Sequence, residues 1–143
     1  RQPGLVDDQG AILRSGRLER MALANPKLSP YGAAAVEAMR QLGVLKDTQP
    51  KLVQGENIAQ TYQFIASGNA QLGFVAMSQV TADGKLTQGS GWTVPPGWHA
   101  PILQDAILLT PGRNNPAARA LLDYLQGQKA KALIRSFGYG PSP

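Results

Sequence analysis

Two short stretches of this 143-residue sequence combine residue types that could grip an anion. In Ser29-Pro30-Tyr31-Gly32, a helix-capping serine precedes a proline at the first helical position, where the missing N–H costs nothing. In Glu56-Asn57-Ile58, an asparagine introduces a second segment with apolar residues at helical spacing. Each stretch follows directly on a short apolar run, so each reads as a helix opening at the end of a strand. The first turn of a helix leaves backbone N–H groups unpaired and carries roughly half a positive charge, which holds an anion without a cationic side chain. The same stretches also read as ordinary strand-to-helix turns. Pattern alone leaves both readings open.

Other chemistry is sparsely supplied. Without cysteine there are no disulfides, no thiol nucleophile and no cysteine metal site. That composition does not fix the compartment. The single histidine, His99, lies in a proline-rich stretch beside Trp98, and no serine or acid shares its motif. Asp7 and Asp8 are adjacent, as in a loop turn. No H-E-x-x-H, EF-hand loop, P-loop or G-x-G-x-x-G appears. The expectation is a protein with no catalytic residues and no enzymatic activity.

The net charge of +5 raises the question of nucleic acid. Residues 111–143 carry five basic groups and one acidic, whereas the rest of the chain is nearly balanced. Arg113, Arg119, Lys129, Lys131 and Arg135 are spaced like the solvated face of helices. A surface that tracks phosphates adds stacking aromatics and denser basic clusters. No nucleic-acid partner is expected.

The elements that must position the two openings follow from hydrophobic periodicity. Residues 1–18 read as an irregular lead-in, with Pro3-Gly4 and Asp7-Asp8-Gln9-Gly10 as turn signals. Met21-Ala22-Leu23-Ala24 reads as a buried strand that stops at Asn25-Pro26. A helix follows with Ala35, Val36, Met39 and Leu42 on one face, closed by Gly43. The unit then repeats: Lys51-Leu52-Val53-Gln54 as a strand, a helix with Ile58, Tyr62 and Ile65, and a stop at Gly68-Asn69. Leu72 through Met77 reads as a third buried strand. Residues 81–101 are rich in turn signals and read as a surface excursion. Ile102 to Thr110 reads as a strand, followed by two helices starting at Asn115-Pro116 and ending at Gly138. Strands alternating with helices of this size indicate an α/β domain with a mostly parallel sheet. No apolar run approaches the ~20 residues needed to cross a membrane as a helix.

The segment Ala24-Asn25-Pro26-Lys27-Leu28-Ser29-Pro30-Tyr31-Gly32-Ala33-Ala34-Ala35 resembles the periplasmic molybdate-binding proteins that feed ABC importers. Pro50 through Thr61 and Gly68 through Ala76 agree in order and spacing, and Asn115 through Gly140 looks like the closing helices of the same family. The resemblance runs from about Leu5 onward. It implies a type II periplasmic-binding-protein-like fold of two α/β lobes that trap a tetrahedral oxyanion between them. Residues 1–102 would be lobe two, and 103–143 the returning strand and C-terminal helices of lobe one.

The resemblance also implies site residues. Tyr31 would be a ligand through its phenol and Ile58 through its backbone N–H, both reaching the metal only through the oxyanion's oxygens. Ser29, Pro30 and Asn57 would line the site, as would Ala76, at which some relatives place a tyrosine. No cofactor is implied; the ligand would be molybdate or tungstate. Partners would be that oxyanion and the membrane subunits of an importer, in the periplasm.

Relatives are longer at the front, where this chain opens with Arg1-Gln2-Pro3-Gly4 and no apolar leader run follows. The expectation is therefore half a clasp that binds oxyanions weakly or not at all. Its closing helices, with Leu121, Leu122, Leu125, Leu133, Ile134 and Phe137, would pack on a second copy or on the lobe itself. Alternatives are a binding protein for tungstate or sulfate, the ligand-sensing domain of a transcription regulator, and a purely structural fragment.

Overall fold

The computed structural model describes residues 4–140. Arg1, Gln2 and Pro3 of the expected lead-in lie outside the described residues. A three-stranded parallel sheet forms the centre, with β1 (Met21–Ala24) between β2 (Leu52–Gly55) and β3 (Leu72–Gly73). β1 is buried along its whole length, as a central parallel strand must be when both faces are covered. Met21 and Leu23 enter a core with Ala35, Met39, Leu42 and Val44, while Ala22 approaches Gly73 and Ile65 on the other face. The connection from β1 to β2 runs through α1 (Pro30–Gln41) and the short α2 (Leu45–Thr48); that from β2 to β3 runs through α3 (Ile58–Ala66). Right-handed crossovers leading in opposite directions from β1 and β2 put these helices on opposite faces of the sheet.

The predicted helix ends hold. Gly43, at φ 72°, and Gly68, at φ 84°, terminate α1 and α3 in the left-handed region open to glycine. The predicted strands are less exact. The second runs one residue later than Lys51–Gln54, and the third pairs only over Leu72–Gly73 instead of Leu72–Met77. One more bond, Phe74 N–H to the Ala22 carbonyl at 3.0 Å, extends that ladder. Met77 instead begins α4 (Met77–Val80).

Residues 81–101 are not a free excursion. They start with a hairpin, β4 (Thr81–Ala82) and β5 (Lys85–Leu86), turning on Asp83-Gly84 with positive φ at both residues, the backbone of a type I′ turn. Beyond it, Trp92 and Trp98 stack edge-on at 5.5 Å and pack on the core. The Ala100 N–H donates to Glu37 Oε2 at 2.7 Å, strapping the segment to α1. The lead-in likewise delivers Leu13 and Leu18 to the core.

The predicted strand from Ile102 to Thr110 is absent: residues 102–109 carry no regular secondary structure and no ladder partner, and a strand is defined by the neighbour that takes its hydrogen bonds. Beyond it, α5 (Pro116–Gln126) and α6 (Gln128–Ser136) pack on each other. Leu121, Leu125, Leu133, Ile134 and Phe137 remain exposed. No helix is long and apolar enough to cross a membrane among the described residues.

Candidate anion-binding site

All three strands are parallel, so the segments leaving their carboxyl ends gather at one edge of the sheet. β1 sits where the chain's course reverses, with β2 on one side and β3 on the other. The crevice beyond such a reversal is where α/β sheets bind ligands.

The β1–α1 turn is tight. The Asn25 N–H donates to the Gly55 carbonyl at 2.7 Å, levelling the ends of β1 and β2. Ser29 occupies the N-cap with extended backbone angles, but its hydroxyl makes no cap hydrogen bond. Its carbonyl accepts from Gly32 and Ala33 N–H instead, at 3.0 and 3.1 Å. Pro30 has no N–H, so the Tyr31 amide is the first donor of the helix, and it has no partner within the turn. The Tyr31 side chain is half-buried. Burial pushes the Tyr31 phenol above its ordinary pKa of 10.0, and the adjoining Tyr139 phenol pushes it further by charge and hydrogen bonding. At neutral pH Tyr31 is therefore a firm O–H donor.

The β2–α3 turn uses a different cap. The Asn57 side chain accepts from Gln60 N–H at 2.9 Å, and its carbonyl accepts from Thr61 N–H at 3.1 Å. The first is an orphan donor satisfied by the cap and the second is the first intrahelical bond, which leaves the Ile58 and Ala59 amides open at the helix start. Gly55 is needed here: a Cβ on it would lie 2.7 Å from Thr61 Oγ1 and 2.9 Å from Thr61 N.

The third opening, after β3, ties the other two together. The Gln79 side-chain carbonyl accepts from Ala76 N–H at 3.0 Å, while its amide donates to the Ile58 carbonyl at 3.1 Å. One side chain therefore braces α4 against the opening of α3. Taking the Ala76 N–H also ends the β3 ladder, which is why that strand stops short. Ala76 is buried with its amide occupied, so it contributes a methyl wall and no donor. Next along α4, Ser78 Oγ lies 3.3 Å from the Tyr139 hydroxyl, and Tyr139 in turn adjoins Tyr31. The structure links Tyr31 and Ile58 around one rim, through Tyr139, Ser78 and Gln79, although the two make no direct hydrogen bond.

Gln79, Ser78 and Tyr139 escape sequence reasoning for different reasons. Gln79 stands three residues after Ala76, the spacing of a helix-opening glutamine that reaches back to its N-cap amide, and that pattern could have found it. Ser78 and Tyr139 lie 61 positions apart, and nothing local pairs them.

His99 stays outside this rim, its Nδ1 paired with the Ala100 carbonyl at 2.8 Å. Two surface hollows of about 270 Å³ lie at the opposite edge of the sheet, one against Arg17, Gln71 and Leu72, the other against Arg14, Asp47 and Lys51. No group of three or more His, Asp or Glu side chains able to hold a metal ion occurs among the described residues.

Comparison with known proteins gives a consistent picture. The sequence model of the bacterial extracellular solute-binding proteins matches residues 2–140. The molybdate-binding protein ModA of Azotobacter vinelandii is 57% identical over 139 residues, covering 97% of this chain and 55% of that protein. The ModA of Rhodobacter capsulatus is 51% identical over 137 residues, covering 96% of this chain and 53% of its own length. The solved structure of the Azotobacter vinelandii periplasmic molybdate-binding protein superposes with a TM-score of 0.90 at 34% identity, covering 99% of this chain and 62% of that one. The chain spans about half the length of the curated relatives it matches.

Proposed function

The chain belongs to the bacterial extracellular solute-binding protein family, and from that premise we propose that it forms one half of a periplasmic clasp that captures molybdate for an ABC importer. The observation that carries this reading is the rim of donors at the carboxyl edge of the parallel sheet. The Tyr31 hydroxyl stands at one helix opening and the Ile58 amide at another, the second braced against α4 by the Gln79 bridge. The names of the relatives support molybdate as the anion, and the periplasmic description of the solved relative supports the compartment.

The role is reversible capture with no bond made or broken. Molybdate, fully deprotonated at neutral pH, only accepts hydrogen bonds. A hydroxyl that keeps its proton and backbone amides at positive helix ends suit it. Phosphate, partly protonated at the same pH, needs an acceptor as well. A rim of donors leaves that proton unpaired, at a cost of about 1–3 kcal/mol. Sulfate matches molybdate in charge and must be rejected by the size of the closed cavity. Residues 1–102 act as lobe two, and 103–143 return to lobe one, whose sheet would cover the exposed faces of α5 and α6. Closure of the two lobes then buries the ion and presents a joint surface to the importer's membrane subunits.

Titration of the 143-residue chain with sodium molybdate, followed by amide and tyrosine NMR, tests this reading. The expected result is weak, saturable binding that shifts the Ile58 amide and the Tyr31 ring, with tungstate competing and phosphate not. Tyr31→Phe should weaken it. Resonances of Tyr31 and Ile58 that stay fixed at saturating molybdate would overturn the proposal.

A further inference from the structure

Thr61 is fully buried, and nothing in the anion site as drawn from Tyr31 and Ile58 uses its hydroxyl. The group sits one turn into α3, where Oγ1 donates to the Asn57 carbonyl at 2.9 Å beside the Thr61 N–H at 3.1 Å. Both lone pairs of that carbonyl oxygen are thereby engaged. The hydroxyl is wedged against the end of β2, since a Cβ on Gly55 would lie 2.7 Å from it. Room for it therefore depends on a glycine in the strand that leads to the site.

We infer that Thr61 is a positioning residue of the anion site, holding the Asn57 carbonyl so that the Ile58 N–H of the same peptide is aimed at the ligand and polarised toward it; this rests on the anion reading above. A peptide unit is a rigid plane, and in its trans form the carbonyl and the N–H point in opposite directions. Two donors on the Asn57 oxygen therefore fix where the Ile58 N–H points. They also draw electron density out of the peptide, which makes its N–H a stronger donor to an anion. Because Thr61 is buried, no water competes for its proton. Ile58 is held on its other side as well, where its own carbonyl accepts from the Gln79 side-chain amide at 3.1 Å. Both peptides that flank the Ile58 Cα are thus gripped by their oxygens, while the Ile58 N–H stays open. A similar hydrogen bond lies at the opposite edge of the sheet, where Thr48 Oγ1 donates to the Val44 carbonyl at 2.9 Å. It supplies an internal control, because the N–H of that peptide belongs to Leu45 and opens no anion site.

The test uses the 143-residue chain, isotope-labelled at its amide nitrogens, with sodium molybdate as the probe. Thr61→Val keeps the branched shape and removes only the hydroxyl. The expected result is an Ile58 amide nitrogen that moves upfield in the free chain, as the peptide becomes less polarised, together with molybdate binding weakened about two- to fivefold. Thr61→Ser keeps the hydroxyl and should restore both. Thr48→Val should leave both at the parent values. A Thr61→Val chain in which either the Ile58 resonance or the affinity matches the parent overturns the positioning role, whatever its urea midpoint. Binding weakened as much by Thr61→Ser or Thr48→Val as by Thr61→Val would make the effect one of packing, and overturns it too. If the Ile58 amide of the parent chain does not respond to molybdate, the anion reading fails, and this inference fails with it.

Discussion

Gly32 sits in the first turn of α1, beside Tyr31, and an alanine there sets two effects of opposite sign against each other. Helix propensity favours alanine over glycine by about 1 kcal/mol. The added Cβ, however, would lie 2.1 Å from the Ala24 carbonyl oxygen, 2.8 Å from the Ala24 carbonyl carbon and 2.9 Å from that of Asn25. Even close carbon–oxygen contacts lie at about 3.3–3.6 Å, so the oxygen contact is short by more than about 1 Å. All three neighbours are backbone, and none can rotate away. The opening of α1 must lift off the end of β1, and overpacking of this kind costs about 3 kcal/mol. The clash wins by about 2 kcal/mol. In urea this corresponds to a midpoint lower by about 1 M for a domain of this size. Gly97→Ala is the matched control, since a Cβ there meets nothing within 4 Å. A Gly32→Ala chain as stable as the parent would refute the packing argument for the β1–α1 turn.

Other outcomes follow from the same geometry. Asn57→Ala removes the side-chain acceptor of Gln60 N–H and should lower stability by about 1 kcal/mol, read by urea denaturation, while Asn57→Asp should retain it. The folded chain holds the Tyr31 proton, through burial and then Tyr139, at pH values where the unfolded chain has released it. Its contribution to stability is therefore complete below pH 10.0 and falls as pH rises through the higher folded value, as does anion binding. Tyr31→Phe should flatten both profiles, by circular dichroism and by titration calorimetry. The exposed Leu121, Leu133 and Phe137 should drive self-association of the chain. Light scattering checks this, with Leu133→Lys shifting the population to monomer.

The parts of the fold set by local pattern could be read directly. The buried run Met21–Ala24, the Pro30 and Pro116 helix starts and the glycine stops at 43, 68 and 138 all fall where the spacing puts them. Features decided by distant partners could not. Residues 102–109 carry strand-like residues and form no strand, because a ladder needs a neighbour that single-strand pattern does not supply. Residues 72–77 read as one apolar strand, but Gln79 claims the Ala76 amide and turns the chain into α4. The site divides in the same way. The openings at Tyr31 and Ile58 are local motifs and were visible, whereas the rim that joins them depends on Gln79, Ser78 and Tyr139 meeting across the fold.

The edge-on indoles of Trp92 and Trp98 have a practical consequence for spectroscopy. They are the only two tryptophans of the chain, and Trp92 lies over Gly10, where a Cβ would come within 2.7 Å of the ring. Intrinsic fluorescence excited at the red edge therefore reports whether residues 92–100 are seated across the N-terminal segment and α1. A blue-shifted emission would certify that closure, and detachment of the strap would redden it even with the parallel sheet intact.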